Sequence, residues 1–254
     1  MSEIHCEYSS VLPCGGKGTR LAELTGELAK PLFKVGGKEL ISYSVDVLEP
    51  EIVRQIVFAV DYAAEALKQW VTDHRPPQKV DFAQQKTPGI LGAILEGSRY
   101  ATEDSFIACN TDEIRQGLNV SGAILAHESN LSPVTMVVTR STNLSRHRIV
   151  EVGDDGLITE TTLKPELYEN NTSANGLINT GFLIIDKDAI EYFDSGHSEG
   201  WSGIIDPLCD AGKINAHIDE NITFFNVGTE PEYYETEAYV QQNPVQLGAA
   251  SVRT

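Results

Sequence analysis

No stretch of the 254-residue chain approaches the run of about 18 apolar residues that crosses a bilayer. The opening MSEIHCEYSS has neither the basic segment nor the apolar core of a secretory signal, so a cytoplasmic protein is expected. Basic residues are scarce: 19 Lys and Arg stand against 37 Asp and Glu, a formal charge of −18. Such a field repels nucleic acid and anionic membrane, and neither is expected as a partner. Cys6, Cys14, Cys109 and Cys209 form no C-x-x-C and have no nearby His pair, which argues against a zinc site or a disulfide framework. They read as small core residues. The six histidines form no H-E-x-x-H, and none is assigned catalysis. Internal repeats and low-complexity linkers are also missing.

The few cations are unevenly spread. Lys17, Arg20, Lys30, Lys34 and Lys38 face only Glu23 and Glu27 in their segment, and Arg140, Arg146 and Arg148 have no acid between them. Charge alone is consistent with a site for a small polyanion or with two solvated loops. Apolar or β-branched runs at 9–13, 56–60, 106–110, 134–139, 149–152, 182–186 and 222–227 read as strands. Ile41, Val45 and Leu48 at helical spacing, with Ala63–Trp70 and Gly122–His127, read as helices between them. Alternation of this kind predicts an α/β fold with a doubly wound, mostly parallel mixed sheet and ligands beyond the carboxyl ends of the strands. VGDDG at 152–156 reads as a hairpin turn, and residues 134–185 are richer in strand.

The first strand runs into CGGKGTRL, Cys14–Leu21, whose glycines free the backbone to offer N–H groups to phosphate or base. It fits neither G-x-x-x-x-G-K-[ST] nor G-x-G-x-x-G. Thr19-Arg20-Leu21 is followed by Lys30-Pro31, and with these residues the chain resembles the sugar-1-phosphate nucleotidylyltransferases, whose opening reads G-G-x-G-T-R-L, then K-P-L. The resemblance continues in order over roughly residues 9–240: TPGILGAI (87–94) at the second nucleotide loop, FIACNTDEI (106–114), LKP (163–165), GLINTGFLIID (176–186) and FFNVGTEPEYYE (224–235). It places the chain among short members similar to heptose- and hexose-1-phosphate nucleotidylyltransferases.

The resemblance implies a Rossmann-like, glycosyltransferase-A-like fold in a single domain over 1–254. The nucleotide half would lie at about 9–115, the sugar-phosphate half at about 116–240, and a frayed tail at 241–254. It implies transfer of NMP from an NTP to a sugar 1-phosphate or cyclitol phosphate, with Mg2+ and release of pyrophosphate. Catalysis would fall to Arg20, Lys30 and Asp112. Pro13, Cys14, Gly15, Gly16, Gly18, Thr19, Gln84 and Gly89 would bind the nucleotide. Asn110, Arg146, Lys164, Asn179 and Gly181 would bind the sugar phosphate, and Asp112 and Asn226 would hold the metal. Glu113 is expected to be solvated. A homo-oligomer is compatible with the sequence.

Four departures stand out: Ile90 replaces a Thr, Leu163 replaces the Glu of E-K-P, Arg148 replaces the Gly of R-Y-G, and Asn226 replaces the second metal-binding Asp. Arg148 narrows the sugar pocket and adds a cation there, which leaves two readings: the substrate carries an extra anionic group, or the segment points outward. Asn226 brings an amide oxygen without charge, which lowers metal affinity and leaves room for an alternative: a catalytically weak nucleotide-sugar-binding regulatory module of the same fold.

Overall fold

The Val-, Ile- and Phe-rich strand runs are apolar on successive residues rather than alternate ones, the pattern of a sheet covered on both faces. The computed structural model describes residues 7–16, 18–26, 28–61, 63–163, 175–194, 196 and 200–243. Its strands are β1 (Tyr8–Pro13), β2 (Lys34–Val35), β3 (Lys38–Glu39), β4 (Val53–Val60), β5 (Lys79–Gln84), β6 (Ser105–Cys109) and β7 (Glu113–Gln116), then β8 (Val134–Ser141), β9 (Ile149–Val152), β10 (Ile158–Thr162), β11 (Gly176–Asp186), β12 (Ile214–Ile218) and β13 (Thr223–Asn226). The helices are α1 (Ala22–Thr25), α2 (Leu40–Asp46), α3 (Ala64–His74), α4 (Gly89–Ser98), α5 (Val120–Ser129), α6 (Ser202–Asp210) and α7 (Glu230–Gln242).

β5, β4, β1 and β6 are parallel neighbours; β11 runs antiparallel between β6 and β8, and β12 lies parallel to β8. β9 pairs with the first part of β11 and with β10, joined by the 152–156 turn that the sequence predicts. The sheet is therefore mixed and mostly parallel, as expected. Its two faces follow strand alternation. Leu12, Ile56, Phe58, Ile107 and Ile184 pack with α2, α3 and α5, whereas Val11, Val57, Phe106, Ala108 and Ile185 pack with α4 and α6.

Some elements differ from the sequence reading. Residues 87–94 are expected to be a loop, yet the chain is helical from Gly89, because Leu91, Ala93 and Ile94 bury their side chains against the sheet. β5, β7, β12, α6 and α7 are not read from sequence. The tail expected to fray from 241 begins inside α7, which continues to Gln242, and beyond 243 it lies outside the described residues. Cys14 and Cys109 are buried core residues, as predicted, and Cys209 is half-buried.

Candidate active site

Because β1, β4, β5 and β6 run the same way, Pro13, Gln84 and Cys109 end at one edge of the sheet, and the loops that follow them enclose a cavity of about 190 Å3. Its walls include Pro13, Gly15, Gly16, Lys30, Gly89 and Asp112. Two of the three loop glycines are fixed by their surroundings. A Cβ at Gly15 would overlap Gln85 Oε1, one at Gly18 (φ +62°) would press on the Lys30 stem at 3.1 Å, and Gly16 meets nothing within 4 Å. Gly89 opens α4 at φ +81°.

The glutamine on this wall is Gln85, not the predicted Gln84. Successive strand residues face opposite ways; Gln84 pairs with Val60 at the end of β5 and its side chain is exposed, while Gln85 turns inward. Gln85 Nε2 donates to the Thr87 and Gly89 carbonyls at 2.7 and 2.6 Å, and its buried Oε1 has no hydrogen-bond partner. The amide is thereby oriented with its acceptor beside Gly15. Cys14 is a second adjustment: its neighbours line the cavity, but its thiol is buried in the core, and burial pushes its pKa upward.

A second cavity, about 490 Å3, adjoins the first and shares Ile90, Asn110 and Asp112 with it. Arg20, Arg146, His147, Arg148, Asn179 and Asn226 complete much of its wall. At the shared boundary Lys30 Nζ lies 2.5 Å from Asp112 Oδ2; the lysine side chain is 9% exposed and the carboxylate 33%. The Asp112 carbonyl accepts from Val227 N at 2.9 Å, which draws Asn226 beside it. Arg146 donates to Glu235 at 2.9 Å. His147 rests edge-on against Phe224, and burial together with the neighbouring Arg146 lowers its pKa to about 4. Asn179 turns its Oδ1 to Gly181 N, 2.8 Å away, and leaves its amide nitrogen to donate.

The remaining predicted cations divide. Lys34 pairs with Glu39, Lys38 with Asp46 and Arg140 with Glu220 on the surface, so only Arg20, Lys30, Arg146 and Arg148 among those described line the cavities. Lys164 and Lys17 lie outside the described residues, as does the Thr19 side chain.

Glu113 is not solvated. It is enclosed at the wall of the second cavity, with Oε2 2.5 Å from Arg115 Nη2, and burial pushes its pKa up to about 8 despite the opposing Arg115 charge. Arg115 is fully buried and also donates to the carbonyls of Thr180, Asn110, Glu113 and Gly181, at 2.5, 3.2, 3.2 and 3.2 Å. Gly181 is predicted to bind the sugar phosphate; instead it makes space for this pair. It has φ +63° in the β11 irregularity between Asn179 and Leu183, and a Cβ there would overlap Glu113 Oε2. Period-two spacing of Glu113 and Arg115 is the sequence signal that could have revealed them on one face of a strand. For Trp201 and Phe224, which also line the second cavity, no local signal exists.

Comparison with known proteins gives a consistent picture. A family model described as nucleotidyl transferase matches residues 10–243. The D-glycero-alpha-D-manno-heptose 1-phosphate guanylyltransferase of Campylobacter jejuni is 23% identical over 226 residues, 89% of this chain and 96% of that protein. A probable glucose-1-phosphate cytidylyltransferase of Bacillus subtilis is 23% identical over 205 residues, covering 72% and 76%. Among solved structures, HddC from Yersinia pseudotuberculosis has a TM-score of 0.75 at 24% identity over 91% of this chain and 99% of its own, and it has also been solved complexed with GMP-PN. The inositol-1-phosphate CTP transferase from T. maritima has a TM-score of 0.74 at 15% identity, covering 93% and 97%. These structural likenesses establish the fold.

Proposed function

The chain belongs to the nucleotidyl transferase family, and on that premise we propose that it transfers a nucleoside monophosphate from an NTP to a sugar 1-phosphate or cyclitol phosphate, releasing pyrophosphate. The observation that carries this reading is Asp112, shared by the walls of two adjoining cavities and touched by Lys30. The smaller cavity takes the nucleotide and the larger one the acceptor, within one domain.

Two polyanions must meet, so catalysis is mainly positioning and charge neutralisation. An oxygen of the acceptor phosphate attacks the α-phosphorus, and the bond to the pyrophosphate oxygen breaks. Lys30, nearly dehydrated at the boundary, neutralises charge on the transferring phosphoryl group, and Arg20 offers its planar fork to phosphate oxygens from the acceptor side. Asn179 donates to acceptor hydroxyls, and Lys164 is assigned to the acceptor phosphate. Gln85 Oε1 is an acceptor for an N–H of the base.

The donors suit magnesium. The Asp112 carboxylate is partly exposed, Asn226 lines the same cavity, and oxygen atoms match a hard dication. Among the described residues no group of three or more His, Cys, Asp or Glu is arranged to hold a metal. Asp112 and Asn226 would therefore share the ion with substrate phosphates, where it supplies charge neutralisation. On this reading the protein works in the cytoplasm; no helix among the described residues is long and apolar enough to cross a membrane.

The test is a screen of four NTPs against sugar and cyclitol 1-phosphates, detecting pyrophosphate. Magnesium-dependent release with at least one pair is expected. Silence across the panel with nucleotide binding intact points instead to a binding module, the alternative that the uncharged Asn226 favours.

A further inference from the structure

Arg148 is a cation of the larger cavity that the mechanism does not use. Its guanidinium is fixed by neutral groups from two elements: Nη1 donates to Thr161 Oγ1 of β10 at 2.8 Å, and Nη2 donates to Ser202 Oγ at the start of α6 at 2.7 Å. The carboxylate beside it, Asp206, stands 3.5 Å from Nη1 and is 35% exposed, whereas the arginine side chain is only 14% exposed. Lys30, Arg115 and Arg146 are matched more closely, to Asp112 at 2.5 Å, Glu113 at 2.5 Å and Glu235 at 2.9 Å, and Arg20, which also lines the larger cavity, is exposed to water. A guanidinium withdrawn from water beside a distant, partly hydrated counter-ion is poorly compensated. Burial lowers its pKa from the ordinary arginine value, as such a deficit requires.

Position decides which anion is missing. The reacting end of the cavity is the boundary with the nucleotide cavity, at Ile90, Asn110 and Asp112. Arg148 belongs to the larger cavity alone and is tied to the α6 side of its wall, where Gly200, Trp201 and Ser202 also stand. The hydroxyls of Thr161 and Ser202, with the long Nη1 contact to Asp206, hold the fork in one orientation, and two of its five N–H groups, Nε–H and the second on Nη2, have no hydrogen-bond partner among the described residues. Fixed in that way, a guanidinium suits a carboxylate or phosphate with its paired oxygens.

We propose that the acceptor carries a second anionic group, a carboxylate or another phosphate, remote from the phosphate that reacts, and that Arg148 receives it. This rests on the assignment of the larger cavity to the acceptor.

The experiment is calorimetric titration of the full chain, saturated with a non-transferable analogue of whichever NTP binds, using glucose 1,6-bisphosphate, glucuronate 1-phosphate and glucose 1-phosphate as probes. At least one of the first two is expected to bind about tenfold or more tightly than glucose 1-phosphate. Which of them does so separates a phosphate from a carboxylate. Arg148→Met should abolish that difference without changing nucleotide affinity, and Arg148→Lys should retain part of it. Equal affinity for all three probes, no binding of any, or an Arg148→Met loss that is the same for all three overturns the proposal. The wild-type comparison stands even if a variant does not fold. Absence of pyrophosphate release with every acceptor, alongside a retained binding preference, sinks the transferase reading and leaves this one in place.

Discussion

Lys30 and Asp112 come from loops 82 residues apart and meet at 2.5 Å on the wall between two cavities. Each holds the other, and both stand where the proposed reaction brings phosphate. Lys30→Ala is expected to lower kcat by about 100-fold or more, since it removes a positive charge from a largely dehydrated position. Steady-state kinetics with saturating substrates decides; near wild-type turnover would remove Lys30 from the mechanism.

Asn226 stands opposite Glu113 in the β7–β13 ladder and next to Val227, whose N–H holds the Asp112 carbonyl. With one carboxylate and one amide, magnesium depends heavily on the substrates' phosphates. Asn226→Asp should lower the magnesium concentration for half-maximal activity while turnover rises or holds. An unchanged magnesium titration would mean that residue 226 does not face the ion.

Gly181→Ala should destabilise the fold by about 2–4 kcal/mol, combining a left-handed backbone with a methyl group driven against the Glu113 carboxylate. Chemical denaturation measures this. Adding Glu113→Ala to the same chain should recover part of the loss; strict additivity would show that the two do not touch.

His147 gives a stability slope with a definite sign. Its folded pKa of about 4 lies below the ordinary 6.5, so between those values the unfolded chain binds a proton that the folded chain refuses. Stability from this group is complete above about pH 6.5 and declines as pH falls toward 4. His147→Phe should flatten the urea-denaturation profile across that window, and an unaltered profile would show that the imidazole is not shielded.

How much of this is legible in sequence depends on how local each feature is. Gly15, Gly16, Gly18, Arg20, Lys30 and Asp112 sit in short motifs whose residue types follow from phosphate chemistry, and the strands are legible because both faces are buried. Gln85 is not separable from Gln84 before the last residue of β5 is known, since one step of register reverses the side chain. The surroundings of Arg148 depend on α6, more than 50 residues further along, and no spacing rule joins them. Glu113 illustrates a different failure: a charged residue after a strand is ordinarily solvated, and only the Arg115 contact overrides that expectation.

Beside the Glu113 carboxylate and the Cys109 sulfur, the anchors of Arg115 are main-chain oxygens, on residues 110, 113, 180 and 181. Every amino acid carries that oxygen, so side-chain exchange at Asn110 or Thr180 leaves the anchors in place. In a saturation library, the brace joining the end of β6 to the middle of β11 would therefore tolerate drift at Asn110 and Thr180 while position 115 admits no substitute, since no other side chain reaches so many carbonyls. Intolerance concentrated at position 115, and at the Gly181 that leaves room for its carboxylate partner, is the mutational fingerprint of this design.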